Sequence, residues 1–304
     1  MEFFKMNIKI PFVRQRKWAG TFSVIMFVAS ILSLSIYGLN LGLDFTGGMQ
    51  VEVNFSNPID TAKIRKNLVE QGFYQAVVRG YDVRHISVRV ALYKYLTQEQ
   101  LKARLIAAMP TAQITSLNYI GAQVSKQLMM NGILAIIVAL ITTMIYIALR
   151  FELRFALSAA IALIHDPIFI LGIFSFFHIE FNLIVLAAVL TVIGYSLNDT
   201  IVVYDRIREN FRRIRCGTPS EIINLSINQT LSRTVITSGL ALLVVITLFI
   251  FGGEILRPFS LALIVGIAIG TYSSIYVAGS LVVAFKLDRQ HLLRLPNEIE
   301  DDLP

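Results

Sequence analysis

The sequence holds one cysteine, Cys216, among 304 residues. An internal disulfide is therefore excluded, and a thiolate metal cluster has too few ligands. Neither a Walker phosphate loop nor an HExxH helix occurs, so the chain carries no ATPase or zinc-protease signature. Charge is scarce as well: only 15% of the residues are Asp, Glu, Lys or Arg. Apolar side chains fill the space, at 55% of the sequence. That share is too high for an ordinary soluble domain. About 20 consecutive apolar residues cross a bilayer as a helix. Several such runs are present, and they define a polytopic α-helical membrane protein. The net charge of +7 needs no nucleic acid to explain it, because excess Lys and Arg marks cytoplasmic loops.

Six transmembrane helices are predicted, at about 18–38, 129–149, 155–177, 182–204, 234–251 and 259–285. The basic N-terminal segment 1–17 (Lys5, Lys9, Arg14, Arg16, Lys17) resembles the start of a signal peptide. The apolar run after it is longer than a signal core and ends in no small-x-small site, so it is read as an uncleaved first span. Basic residues also gather at Arg150, Arg154, across 205–233 and at Lys286, Arg289 and Arg294, whereas the short loops on the other side hold only Arg257. This bias puts both termini in the cytoplasm. The tail 286–304 ends in the acidic "PNEIEDDLP" and reads as disordered.

The long segment 39–128 then falls outside, although it carries ten Lys and Arg. Long domains translocate largely regardless of charge. Its pattern reads β-α-β-β-α-β: "MQVEVNF" alternates as a strand, "IDTAKIRKNLVEQG" has helical spacing, and "TQEQLKARLIAAM" is a second helix with Thr97 at its N-cap. The order predicts a small ferredoxin-like α+β periplasmic domain.

Chemistry is expected where charge enters the apolar runs. In "VLTVIGYSLNDTIVVYDRIREN" a carboxylate, Asp199, lies within the fourth span. A charged group at a helix centre costs about 2.5–3.5 kcal/mol on the translocon scale, and such groups are usually functional. One reading is proton or ion handling; the other is a structural hydrogen bond between helices, helped by Ser196 and Asn198. Arg233 opens the fifth span and is a candidate partner at similar depth, or a snorkelling residue. Asp166 in "LIHDPIF" lies midway along the third span beside His165. A His–Asp pair there suits a proton relay or a packing contact at a kink made by Pro167. Helix neighbours point about 100° apart, which argues against a shared target.

Asp44, Gly47 and Gly48 in "LGLDFTGGMQ" form the junction between the first span and the first strand, where the glycines are expected to hinge. Asp44 alone reads as a turn residue. Gly266 and Gly270 make a small-xxx-small face for helix packing. Phe3 and Phe4 beside Lys5 suit the inner membrane surface. The run "DRIRENFRRIRCG" is amphipathic: its five arginines set topology at lipid headgroups or dock a protein. Asn198, Asn224 and Asn228 each begin an Asn-x-Ser/Thr triplet, but all fall in a span or on the inner side and receive no weight.

"LGLDFTGG" after a first span and "GYSLNDTIVVYDRIREN" in a fourth resemble the SecF family of bacterial protein translocase subunits. "HDPIF", "RTVITSG" and "FGGEILRPFSLALIVGIAIGTYSSIYVA" resemble it too, and the likeness runs over about residues 15–290. The family implies half of a proton-driven assembly of the resistance-nodulation-division superfamily. SecD would supply the other half, in association with the SecYEG channel and YajC; SecA, which spends ATP, would be an indirect partner. Its function would be to use the proton motive force at the inner membrane to promote movement of a translocating preprotein. The resemblance also implicates the positions of Asp199 and Arg233 in proton passage, and the "HD" at 165–166 fits it. One "DFTGG" element and six spans suit the separate SecF form rather than a SecD–SecF fusion. The resemblance implies no cofactor, and membrane lipids are the remaining expected contact. Two competing classes are an exporter of lipids or small hydrophobic molecules with the same architecture, and an assembly factor without ion flow. A domain of only about 90 residues leaves little room for a substrate pocket, and Asp199 argues against the assembly factor.

Overall fold

A helix satisfies its own backbone hydrogen bonds, so an apolar helix can cross a membrane. In the computed structural model six helices among the described residues are long and apolar enough to do so. The structure describes residues 10–285 apart from 59, 75, 81 and 94. Phe3, Phe4, Lys5, Lys9 and the tail 286–304 lie outside the described residues.

In chain order the elements are α1 (Phe12–Tyr37), β1 (Asn40–Leu41), α2 (Leu43–Thr46), β2 (Gly48–Phe55), α3 (Thr61–Glu70), β3 (Val77–Gly80), β4 (His85–Val90), α4 (Gln98–Ala108) and β5 (Ala112–Ile120). There follow α5 (Ala122–Arg150), α6 (Leu153–Phe176), β6 (Glu180–Phe181), α7 (Leu183–Arg213), α8 (Pro219–Phe251), α9 (Gly253–Tyr272), a π-helical stretch at Ser273–Ala278, and α10 (Gly279–Ala284). The last three make one continuous span.

The chain divides into two compact units. An α+β unit comprises Asn40–Ala135 together with the four residues Glu180–Leu183. The remainder forms a membrane unit. The sequence-derived domain, 39–128, gave no hint that residues 180–183 would belong to the α+β unit.

The α+β unit is a four-stranded antiparallel sheet in the order β3-β4-β2-β5. With two intervening helices this is the ferredoxin-like arrangement expected from the β-α-β-β-α-β pattern. Side chains alternate across a strand, and Met49, Val51, Val53 and Phe55 of β2 all turn inward and are buried. They belong to one core with Ile64 and Leu68 of α3 and Leu101 and Leu105 of α4. Both helices start on side-chain caps. Asp60 accepts from the Ala62 N–H at 2.9 Å, and Thr97 forms a reciprocal capping box with Gln100.

The glycines of the junction lie inside this unit. Gly47 and Gly48 both adopt positive φ, +67° and +131°. A Cβ on Gly48 would stand 2.3 Å from the Val90 carbonyl oxygen, where β2 and β4 begin to pair. Gly48→Ala is therefore expected to destabilise the protein by about 1–3 kcal/mol, the usual cost of such backbone strain. Thermal unfolding of the purified full chain in detergent measures this. An unchanged midpoint would show that the strand shifts freely at this point.

In the membrane unit α6, α7 and the last span are buried over half or more of their most apolar stretch, whereas α1, α5 and α8 are mostly exposed. The former group supplies the interior. Gly266 and Gly270 provide the expected small-residue face. A Cβ on Gly266 would come within 2.2 Å of Val192, and one on Gly270 within 3.0 Å of Ser196. Backbones approach closely where side chains are absent, and this brings α9 against the face of α7 that carries Ser196.

The basic stretch 205–233 is helical except for 214–218. Its amphipathic pattern explains the extension. Ile207 and Phe211, one turn apart, are buried, and Tyr204 packs its ring against Phe151 and Phe155. Gly217, at φ +112°, makes the turn. Pro219 at the first helical position and the Thr218–Glu221 capping box then start α8.

Candidate functional site

Three positions on α7 share one face by helical spacing: Ser196, Asp199 and Thr200. All three are buried, Asp199 to 4% exposure. The Asp199 carboxylate accepts a hydrogen bond from the Ser238 hydroxyl of α8 at 3.2 Å. The Thr271 hydroxyl of α9 lies 2.8 Å from Ser238 Oγ and also 2.8 Å from the Ile267 carbonyl oxygen. It has one proton and donates to one of them at a time. Asp199 thus sits at the end of a short hydroxyl chain crossing three helices.

Arg233 is exposed on α8. Its charge reaches Asp199 electrostatically. The ion pairs among the described residues, however, include none between the two. An ionised carboxylate offers about four lone-pair positions; among the described residues only Ser238 donates to it, which leaves Asp199 with capacity to accept a proton.

Asp166 on α6 is 1% exposed and more fully engaged. Ser196 and Ser273 both donate to its Oδ2, the latter at 2.9 Å. His165 places Nδ1 3.0 Å from Oδ1. Although the two side chains leave the helix about 100° apart, the imidazole reaches round to the adjacent carboxylate. The ring also stacks against Phe27 at 6.1 Å between centroids, and Nε2 is buried without a hydrogen-bond partner among the described residues. Helix α6 runs on through Pro167 to Phe176.

The two carboxylate clusters adjoin. Ser196 lies one turn before Thr200, and the Thr200 hydroxyl is 2.9 Å from Ser274 Oγ. Ser273 and Ser274 open the π-helical stretch. Such bulges inside helices often mark functional sites. Here the wider turn presents two adjacent hydroxyls, one to Asp166 and one to Thr200. Ser238, Thr271, Ser273 and Ser274 escaped the sequence reading. The available signal was a run of hydroxyl residues, "TYSS", inside an otherwise apolar span.

Two remote caps were missed as well. Asn224 and Asn228 of α8 accept from the backbone N–H groups of Val13 and Ile10, at 3.2 and 2.9 Å, at the start of α1. In the α+β unit, Asp44 on α2 accepts from the Leu183 N–H at 2.9 Å. Leu183 is the first residue of α7, so Asp44 satisfies one of that helix's orphan donors. A carboxylate in this place contributes about 0.3–1 kcal/mol through the helix dipole as well.

Next to it, Glu180 forms ion pairs with both Arg79 and Arg89, the latter at 3.3 Å. Arg89 also donates to the Leu41 carbonyl at 3.1 Å. Burial lowers the Arg89 pKa from its ordinary value; the Glu180 charge raises it and the Arg79 charge lowers it further. Arginine still stays protonated. Among the described residues no cluster of three His, Cys, Asp or Glu is placed to hold a metal ion.

Comparison with known proteins places this geometry in context. Residues 100–288 match the family model for the protein export membrane protein SecD/SecF, C-terminal, and residues 32–59 match the SecD/SecF GG motif. The chain is 45% identical to the protein translocase subunit SecF of Vibrio alginolyticus, over 98% of this chain and 96% of that one. It is 41% identical to the corresponding subunit of Escherichia coli O157:H7, over 95% and 92%. A crystal structure of SecDF, a translocon-associated membrane protein from Thermus thermophilus, superposes with a TM-score of 0.85 at 35% identity, over 93% of this chain. A second SecDF structure, in a super-membrane-facing form, gives a TM-score of 0.67 at 34% identity, over 92% of this chain. The chain spans 39% of the length of each solved protein. The six apolar helices, the ferredoxin-like unit between the first two, the glycine motif and this degree of identity together show that the chain belongs to the SecD/SecF family of protein export membrane proteins.

Proposed function

We propose that this chain is an accessory subunit of the bacterial Sec export machinery that, with SecD, uses the proton motive force to promote preprotein movement across the inner membrane. The observation that carries this reading is Asp199, a carboxylate buried in an apolar helix with one neutral donor and a cationic side chain within electrostatic reach. Such a group is costly to hold in a membrane, and intramembrane carboxylates therefore usually mark a functional site. Asp199 binds and releases the proton, Arg233 supplies the counter-charge, and Asp166 is the second carboxylate of the route. Asp44, Gly47 and Gly48 form the junction through which movement enters the α+β unit, which lies in the periplasm. The chain has no ATPase site of its own. SecYEG and YajC are its proposed neighbours with SecD; SecA acts at a distance, spending ATP at the cytosolic face.

Sealed vesicles containing the export machinery, with and without this chain, test the reading. Export driven by ATP alone should be similar in both, and an imposed proton gradient should stimulate export only where the chain and SecD are present. Equal stimulation without the chain would overturn it. The proposed topology has its own check. A reporter fused after Leu303 is expected to be active when it requires the cytosol. Activity from a reporter that works only in the periplasm would place the tail on the other side.

A further inference from the structure

The residues Glu180–Leu183 connect the third and fourth spans in sequence, yet they belong to the α+β unit. Several independent contacts hold them there. Glu180 and Phe181 pair in parallel with Asn40 and Leu41. The Gly42 N–H donates to the Phe181 carbonyl at 2.8 Å. Phe181 is buried and stacks on Phe45 at 5.8 Å. Glu180 is shared by Arg79 and Arg89, and Asp44 caps Leu183. A two-residue strand pair is marginal alone; ion pairs, ring stack and cap reinforce it. Leu183 then begins α7, which is described as one helix up to Arg213. Asp199 lies on that helix roughly 24 Å further along, at 1.5 Å per residue.

We propose that Glu180–Leu183 is a clamp that fixes the start of α7 to the α+β unit, so that a displacement of the helix bearing Asp199 is delivered to the unit without slack. It rests on the gradient-coupled reading above. Asp44 and Glu180 are its positioning residues; neither exchanges the proton. The charge arrangement explains why Glu180 matters more than an ordinary surface carboxylate. Two arginines converge on it, and its removal takes from both the one ion-pair partner they have among the described residues.

The register of β1 and β6 supplies a reversible test. In a Cys216→Ser background, Asn40→Cys with Glu180→Cys removes the carboxylate and places two thiols at partnered positions. Reduced, the variant in vesicles with SecD is expected to lose gradient-dependent export by about fivefold or more, within the usual range of coupling between sites, while ATP-driven export persists. Oxidised, it should regain the gradient response, because a covalent link replaces the ion pairs. A segment with a merely structural role would lose ATP-driven export in step with the gradient response when reduced.

A normal response in the reduced form would overturn the clamp. So would a response present when reduced and absent when oxidised, since the segment would then have to separate during the cycle. If neither form responds, the disulfide yield decides. A disulfide that forms in full without restoring the response overturns the clamp, and so does a yield that falls under a gradient. This yield is read without reference to export. Failure of the proton reading, seen as a normal gradient response in Asp199→Asn, is therefore distinguishable from failure of the clamp.

Discussion

Asp199→Asn is expected to assemble, to support ATP-driven export, and to lose the gradient-dependent part by about tenfold or more, equivalent to ~1.4 kcal/mol or more of coupling. The side chains have the same size. The amide keeps an oxygen that accepts from Ser238, the one hydrogen bond the carboxylate receives among the described residues. The change in fold stability should therefore stay near 1 kcal/mol, the scale of a single hydrogen bond. What the amide loses is the ability to cycle between a charged and a neutral state. In the unmodified protein, proton uptake would cancel the attraction between Asp199 and Arg233, which lie on α7 and α8. Those two helices would then have a reason to shift. A fixed neutral amide removes that alternation. Asp199→Glu keeps it, with a longer arm, and should retain part of the response. The comparison is export by sealed vesicles with and without an imposed gradient. If Asp199→Asn responds as the unmodified chain does, the carboxylate is a structural acceptor and the proposed mechanism fails.

Much of the fold could be read from local pattern, because local pattern is what determines it. "MQVEVNF" alternates, and the structure buries Met49, Val51, Val53 and Phe55 on one face. Thr97 reads as an N-cap in the sequence and is one, with Gln100 closing a capping box that the sequence reading did not include. Long apolar runs with no internal charge have few alternatives to a membrane helix. Gly266 and Gly270 predicted close helix packing, and Val192 and Ser196 fill the space that side chains would occupy.

The features missed depend on partners distant in sequence. Nothing local separates Glu180 and Phe181 from an ordinary connecting loop; only Asn40, Leu41, Arg79 and Arg89 make them a strand with an ion pair. Hydroxyl side chains in helices usually bond back to the preceding turn, as Ser158 does to Arg154. Ser273 and Ser238 look identical to that in sequence, yet they reach carboxylates on other helices. The Asp199 site was visible because an isolated charge in an apolar run stands out. The neutral groups around it do not.

Asp166 is expected to separate two roles by its two simplest replacements. Asp166→Ala leaves His165, Ser196 and Ser273 without their shared acceptor. Each buried group left unpaired costs about 1–3 kcal/mol. Ser273 has a fallback, since its hydroxyl is also 3.1 Å from the Gly270 carbonyl. Two groups are then stranded, and a loss of about 2–6 kcal/mol follows. Thermal unfolding in detergent should show it as a large drop, with poor accumulation in the membrane. Asp166→Asn is different. Its amide oxygen can face Ser196 and Ser273, and its NH2 can face His165 Nδ1 if the imidazole carries its proton on Nε2. The fold should survive with a loss below about 1.5 kcal/mol. Any larger effect on gradient-driven export must then come from the missing exchangeable proton. The proposed route through both carboxylates requires Asp166→Asn to lose the gradient response while keeping its unfolding midpoint. If it keeps both, Asp166 is the acceptor that ties α6, α7 and the π-helical turn together, and proton exchange rests on Asp199 alone.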